Sequence, residues 1–131
     1  QEATVEKVMA EAARVEPDDL LRRMGSAKIE LIILNACLTE QMCTRLCRSG
    51  VPLAVGWSTK AIAFGAAIFS TSFLESWLSG ANPSQALKAA EDALRQRVAM
   101  SDEHKNFKVG VDPDSDRKGF GVPCVRMKES V

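Results

Sequence analysis

A cysteine that could act as a nucleophile follows directly on an apolar run in the segment "IELIILNACLTE", residues 29–40. The reactive form of a cysteine is its thiolate, which a nearby positive charge or a helix N-terminus favours. The helix predicted after this run would begin near Thr39 and bring its positive end close to Cys37. The segment therefore predicts either a strand that delivers a nucleophile or a strand that simply ends in a small apolar residue.

The elements around Cys37 predict a βαβ unit. Residues 28–34 are almost continuously apolar, as expected of a central strand that is buried on both faces of a parallel sheet. Residues 38–50, "LTEQMCTRLCRSG", predict a helix that ends at its glycine, and residues 51–57, "VPLAVGW", predict a second buried strand. A right-handed crossover would place the two strands side by side, with Cys37 and Trp57 at their carboxyl ends, where such sheets carry active sites.

The helical spacing of apolar residues and the positions of Gly and Pro predict the other elements. These are helices over residues 4–15, 18–25, 61–80 and 82–100, a polar loop over 101–107, a short strand over 107–111, a turn over 112–119 and a terminal strand over 120–127. Because Pro123 has no N–H to donate, the terminal strand is expected at a sheet edge or at a bulge.

Length and charge limit the class of protein. At 131 residues the chain fits a single domain with a substantial core, since domains cluster at roughly 100–150 residues. Lys and Arg together number 17, as do Asp and Glu, so no net positive charge favours a nucleic acid partner. No stretch reaches the ~18 uncharged apolar residues of a membrane span, and the acidic N-terminal segment is unlike a signal peptide. We therefore expect a soluble protein that binds neither nucleic acid nor membrane.

The four cysteines predict free thiols in the reducing cytoplasm, because disulfide scaffolds are usually shorter and denser in cysteine. The C-x5-C-x3-C spacing that starts at Cys37 matches no common zinc site, and no C-x-x-C pair points to redox chemistry. Cys43 and Cys47 share one helix face and Cys124 lies in an apolar strand, so all three are expected to be packed. Neither a metal nor another cofactor is expected.

Four segments, taken in their order along the chain, carry a resemblance to a known family: "IELIILNAC", "SGVPLAVGWSTKAI", "AAIFSTSFLESWLSG" and "NPSQALKAAEDAL". From about Leu20 to Met127 the chain resembles the C-terminal half of a CHAT domain, a caspase-like family allied to caspases, separases and gingipains. The resemblance implies a three-layer α/β/α fold around a mostly parallel sheet, with a catalytic cysteine after one strand and a catalytic histidine after the preceding strand. Cys37 then falls on the nucleophile position, and Trp57 and Ser58 follow the strand beside which the family builds its substrate pocket.

The histidine departs from the family pattern. In the family it precedes the cysteine, usually in a His-Gly pair, but residues 1–28 contain no histidine. The only histidine, His104, lies in the polar loop after the helices, and its polar neighbours and its place in the chain predict a solvated loop residue.

Two interpretations follow. In the first, residues 1–131 are the C-terminal portion of a larger CHAT-like cysteine peptidase, in agreement with a chain that begins at Gln1 rather than Met. A protein or peptide would be the substrate, and the chain would be inactive without a histidine from the upstream half. In the second, the chain is a catalytically inactive caspase-like scaffold. An open sheet edge would then bind a partner protein, the upstream half, or a second copy of the chain in a homodimer.

Overall fold

A computed structural model of the chain describes Asp19, Arg22, Arg23 and residues 28–130. The three isolated residues are helical, in agreement with the short helix predicted there. The helix predicted over residues 4–15 lies outside the described residues.

Contacts divide the described residues into two compact units. The first contains the residues up to Ser58 together with those from Cys124 onward, and the second contains Thr59–Pro123. The prediction that residues 1–131 form one domain, itself part of a larger one, stays a prediction.

The first unit contains a three-stranded sheet and one helix. Its elements are β1 (Ile32–Ile33), α1 (Glu40–Arg48), β2 (Leu53–Trp57), β3 (Pro123–Met127) and a short 3-10 helix (Lys128–Ser130), with only the first residue of β3 falling in the second unit. β1 and β2 are parallel, with Ile32 opposite Ala54 and Ile33 opposite Val55. The strand order is β1-β2-β3 and the sheet is mixed, so the predicted α/β class and the parallel βαβ unit are confirmed.

The first predicted strand is shorter than expected, and its position in the sheet differs. It was expected over residues 28–34 in the centre of the sheet, but β1 covers two residues and lies at one edge of the described sheet. A strand extends only as far as a neighbour continues its hydrogen-bond ladder, and the last bond to β2 here is from the Leu34 N–H to the Val55 carbonyl at 2.7 Å. The central strand is β2, whose five residues are all buried.

α1 packs one apolar face into the core of the first unit. Cys43, Leu46 and Cys47 are each at most 1% exposed and cluster with residues of the sheet, among them Ala54 and Cys124. The prediction that three of the four cysteines are packed is therefore confirmed, and all four are free thiols. β3 starts at Pro123 and lies at the other edge of the sheet, as the missing proline N–H predicts.

The second unit is built on two long helices, α2 (Ala63–Leu78) and α3 (Pro83–Ala99), which pack against each other. Their ends follow the predicted signals. Gly80 adopts a φ of +101° just after α2, a conformation that glycine reaches without a side-chain clash. Asn82 caps α3 in a capping box with Gln85, in which each side chain bonds the other residue's backbone N–H at 2.9 Å.

The strand predicted over residues 107–111 does not form. Lys108 makes an isolated parallel bridge to Gly119, and the residues between them form turns, as predicted for 112–119. The Asp112 carboxylate accepts the Asp114 N–H at 2.9 Å, a local bond that competes with a regular ladder. Within the described residues, no helix has the length and apolar character needed to cross a bilayer.

Candidate active site around Cys37

Cys37 lies in an exposed turn between β1 and α1, which we call the Cys37 turn (residues 36–38). The turn leaves the sheet at the carboxyl ends of the two parallel strands, as the sequence predicts. The residue after the cysteine, Leu38, has a φ of +57° and a side chain that is 66% exposed. A left-handed leucine costs roughly 1–2 kcal/mol, so the surrounding bonds must hold the turn in this shape.

Thr39 supplies the bonds that hold the turn. Its N–H donates to the Trp57 carbonyl at 2.8 Å, and its hydroxyl oxygen accepts the Trp57 N–H at 2.9 Å. The same hydroxyl donates to the Ala36 carbonyl at 3.1 Å, on the other side of Cys37. Thr39 was expected to cap α1, and it does occupy the N-cap position, but its side chain is 4% exposed and bonds the turn and β2 instead of the helix.

Glu40, the first residue of α1, connects three elements beside the Cys37 turn. Its carboxylate accepts the Ser58 hydroxyl at 3.1 Å and forms an ion pair with the guanidinium of Arg126 on β3. Arg126 also donates to the Val125 carbonyl at 3.1 Å. Arg126 and Glu40 have side chains that are 31% and 42% exposed, so the pair lies at the surface and is accessible to a ligand.

The structure brings the sequence-predicted site residues to one end of the sheet, but it does not expose them equally. Cys37 is exposed and Ser58 is half-buried, whereas Trp57 is 1% exposed. The predicted contact between Trp57 and substrate stays a prediction. In this conformation the indole contributes to the core, and the backbone of Trp57 ties the Cys37 turn to β2.

The prediction that His104 is a solvated loop residue is wrong. Its ring is half-buried and stacks on Phe64, with centroids 4.2 Å apart and an interplanar angle of 8°. Phe107 and Phe120 complete the cluster at centroid distances of 5.1 and 5.9 Å. Nδ1 lies 3.2 Å from the Ser101 hydroxyl. His104 is therefore a half-buried member of an aromatic cluster in the second unit.

Three buried thiols, those of Cys43, Cys47 and Cys124, lie in the core of the first unit, and their pKa values are shifted in different directions. A hydrogen bond with Cys124, together with burial, raises the pKa of Cys43 above the ordinary value of 9.0. The same bond, helped by the positive charge of Arg126, lowers the pKa of Cys124 to about 7. Burial also raises the pKa of Cys47, whose thiol contacts the Arg126 carbonyl at 3.3 Å. Cys124 is therefore the thiol of this group that ionises first.

Stability is expected to rise with pH because of Cys124. Its pKa is lower in the folded chain than the 9.0 of the unfolded chain, so its contribution is present above pH 9 and is lost as the pH falls through about 7. We expect the difference in unfolding free energy between the native chain and Cys124→Ala to grow by roughly 1–2 kcal/mol across this range, since solvent screens part of the effect. Urea unfolding at several pH values measures it. A difference that does not vary with pH would contradict the assignment, and Cys37→Ala is the control because Cys37 lies outside this thiol group.

Sequence analysis did not identify three residues of the site, which are Thr39, Glu40 and Arg126. Thr39 holds the turn and Glu40 pairs with Arg126 through contacts between segments that are far apart in the chain, and no local sequence pattern predicts such contacts. The described residues contain no group of His, Cys, Asp and Glu side chains that would hold a metal ion.

Comparison with known proteins leaves the family open. No protein-family model matches the sequence, and no curated protein matches it. The resemblance to CHAT domains therefore stays a prediction that rests on the sequence segments quoted above.

Proposed function

We propose that this chain carries the nucleophile of a CHAT-like cysteine peptidase, with Cys37 as the attacking thiol. One observation supports this above the others: Cys37 is exposed in a turn at the carboxyl end of a parallel strand pair, directly before a helix. The left-handed Leu38 adds weight, because strained backbone persists mainly where function requires it. The helix N-terminus beyond Thr39 provides a local field that favours negative charge near the thiol.

The proposed reaction is hydrolysis of a peptide bond through a thioester. The Cys37 thiolate attacks the carbonyl carbon to form a tetrahedral oxyanion, which collapses with cleavage of the C–N bond as an imidazolium donates a proton to the leaving amine. Water then hydrolyses the thioester, which releases the new carboxyl group and restores the thiol. Backbone N–H groups stabilise the oxyanion during both steps. The histidine comes from an upstream half, which also completes the three-layer caspase-like sheet beyond β1.

The alternative is a catalytically inactive caspase-like scaffold that binds a protein. The position of His104 favours it, because this imidazole is stacked in an aromatic cluster of its own unit. In this alternative β1, at the edge of the described sheet, pairs with a strand of the partner or of a second copy.

The deciding experiment labels the full-length gene product with a peptide that carries a thiol-reactive group and identifies the modified cysteine by mass spectrometry. Exposure alone favours Cys37, because the other three thiols are buried. The reference is therefore a synthetic peptide with the sequence of residues 29–40, which has the same thiol without the fold. A full-length protein that reacts at Cys37 at least about tenfold faster than this peptide supports the peptidase, since an activated nucleophile gains at least that much.

The isolated 131-residue chain and Cys37→Ala are the controls. The isolated chain keeps the helix N-terminus but lacks the upstream histidine, so it should react less than about tenfold faster than the peptide and should cleave no substrate. Cleavage by the isolated chain that disappears in Cys37→Ala would contradict the need for that histidine. A full-length protein that also reacts at the rate of the peptide would favour the scaffold.

A further inference from the structure

Neither proposed function uses the three buried thiols of the first unit. Cys43 and Cys47 are four residues apart on one face of α1, Cys124 lies on β3, and all three belong to one core cluster. A hydrogen bond joins the side chains of Cys43 and Cys124. The Cys47 thiol instead donates to the backbone carbonyl of Arg126 at 3.3 Å. The fold therefore brings together one specific pair of thiols from two segments that are far apart in the chain.

The surroundings of Cys124 make it the nucleophile of this pair. Its sulfur accepts the hydrogen bond from Cys43, and the guanidinium of Arg126 adds a positive charge. Arg126 is two residues further along β3, so the two side chains share one face of the strand. Together these groups outweigh burial and the carboxylate of Glu40, which act in the opposite direction, and the pKa of Cys124 falls to about 7. A substantial fraction of this thiol is therefore ionised at neutral pH.

Exposure gives the same order. Cys124 is 6% exposed, whereas Cys43 and Cys47 are 0% and 1% exposed. Ser58 and Arg126, which both act on the Cys124 sulfur, are only partly buried. Hydrogen peroxide is little larger than water, and thiols react with it according to their thiolate character and exposure. Cys124 is therefore the buried thiol that a peroxide meets first.

We propose that Cys43 and Cys124 form a disulfide when the folded chain meets hydrogen peroxide. The Cys124 thiolate attacks one peroxide oxygen, so that an S–O bond forms, the O–O bond breaks and hydroxide leaves to become water. The Cys43 sulfur then attacks the sulfur of this sulfenic acid. The S–S bond forms, the S–O bond breaks, and the departing hydroxide leaves with the Cys43 proton as a second water. Two thiols are oxidised, and one peroxide is reduced to two waters.

Cys43 is suited to the second step. Its hydrogen bond with Cys124, its burial and the charge of the Cys124 thiolate all raise its pKa, so it keeps its proton while Cys124 is reduced. Oxidation converts Cys124 into a neutral sulfenic acid and removes that charge. Cys43 then loses its proton more easily, beside the sulfur that it attacks.

The disulfide would tie α1 to β3. The residues of the second unit, Thr59–Pro123, all lie between the two cysteines in the chain, so the bond closes a long loop in the unfolded state. Closing a long loop lowers the entropy of the unfolded chain, and the oxidised protein should therefore unfold at a higher urea concentration than the reduced protein. α1 begins directly after the Cys37 turn, so the pair lies in the element that supports the proposed nucleophile.

Peroxide treatment of the 131-residue chain with Cys37→Ala tests the proposal separately from the proposed function, since the proposed nucleophile is absent. The reduced chain reacts with a few equivalents of hydrogen peroxide at neutral pH, its remaining thiols are alkylated in urea, and it is digested with trypsin without reduction. Cleavage after Lys and Arg places the three cysteines on separate peptides, residues 29–45, 46–48 and 119–126. Mass spectrometry should find peptide 29–45 joined to peptide 119–126, at least about tenfold more often than either is joined to 46–48.

Two single variants in the same background identify the partners. Cys43→Ala removes the thiol of the second step, so the cross-link should be lost and dimedone should capture the sulfenic acid on Cys124. Cys47→Ala is the matched control, because this thiol lies on the same face of α1 but bonds a backbone carbonyl. It should form the cross-link at a rate within about twofold of the parent. Circular dichroism of each reduced variant establishes that the fold is intact.

Four outcomes would overturn the proposal. They are a folded chain whose thiols do not react with peroxide, capture of a sulfenic acid on Cys124 in the parent with no cross-link, a cross-link to Cys47 as abundant as that to Cys43, and the same cross-link pattern in the folded chain and in urea. The last comparison uses the parent alone, so it decides the question even if a variant does not fold. Dithiothreitol should reverse the cross-link and restore the urea midpoint of the reduced chain.

Discussion

Phe120→Ala should lower the free energy of unfolding of the second unit by about 3–5 kcal/mol, the usual cost of removing a buried aromatic ring. The Phe120 ring is fully buried and packs with Leu94 and Val98. It also contacts the aromatic cluster, with its centroid 5.1 Å from that of Phe107. A Cβ added at Gly65 would lie 2.8 Å from the ring, so the glycine allows the close approach. Removal of the ring therefore leaves a cavity that tight neighbours fill only in part.

The effect should come from the side chain alone. The backbone of Phe120 donates its N–H to the Lys108 carbonyl at 3.0 Å and accepts the Ile62 N–H at 3.0 Å, and alanine retains both bonds. Denaturant unfolding, followed by the fluorescence of Trp77 in a Trp57→Phe background, measures the second unit. Leu78→Ala is the matched control, since this side chain is 70% exposed and its loss should change stability by less than about 0.5 kcal/mol. A loss below about 1 kcal/mol for Phe120→Ala would contradict the packing described for the cluster.

The same cluster explains where prediction from sequence succeeds in this chain and where it fails. Helices α1, α2 and α3 form where their apolar spacing and end signals predict them, because those signals act over one or two turns. His104 was wrongly predicted to be solvated because its neighbours in sequence are polar, while its neighbours in space include Phe64 and Phe120. Burial of a loop residue depends on contacts that no local window contains.

Prediction of the sheet and of the candidate site also succeeds for local features and fails for those that depend on distant contacts. The apolar runs predict two adjacent parallel strands and place Cys37 at their carboxyl end, which the structure confirms. The runs do not reveal where β1 lies in the strand order, because both central and edge strands can be buried by helices and loops. The ion pair between Glu40 and Arg126 joins residues 86 positions apart, so only the folded chain reveals it.

Gly56→Ala should destabilise the first unit by about 2–3 kcal/mol, as overpacking of a tight core does, and should disturb the Cys37 turn as well. A Cβ at this position of β2 would lie 2.5 Å from the Thr39 hydroxyl oxygen and 2.7 Å from the Cys43 sulfur. Neither neighbour can move away easily. Thr39 would have to give up its bond to the Trp57 N–H, leaving a buried donor unsatisfied, and Cys43 is fully buried.

A double-mutant cycle attributes this loss to the contact with Thr39. Thr39→Ala alone should cost about 1–3 kcal/mol, because it leaves the Trp57 N–H without its acceptor. In Thr39→Ala/Gly56→Ala the closest clash is gone, so the double variant should lose less than the sum of the two single losses by about 1 kcal/mol or more. Strictly additive losses would show that the added methyl group meets a different obstacle.

Gly50→Ala separates the steric effect from the general cost of replacing a glycine. Nothing lies within 4 Å of a Cβ at Gly50, but its φ of +112° strains any other residue, so a loss of roughly 1–2 kcal/mol is expected from conformation alone. The labelling rate of Cys37 should stay at the parent value in this variant and change in Gly56→Ala, because only Gly56 lies against the threonine that holds the Cys37 turn. The shape of the turn that presents the proposed nucleophile thus depends on the absence of a side chain at Gly56 of β2. Packing in the core of the first unit therefore controls the position of Cys37 at the end of the sheet.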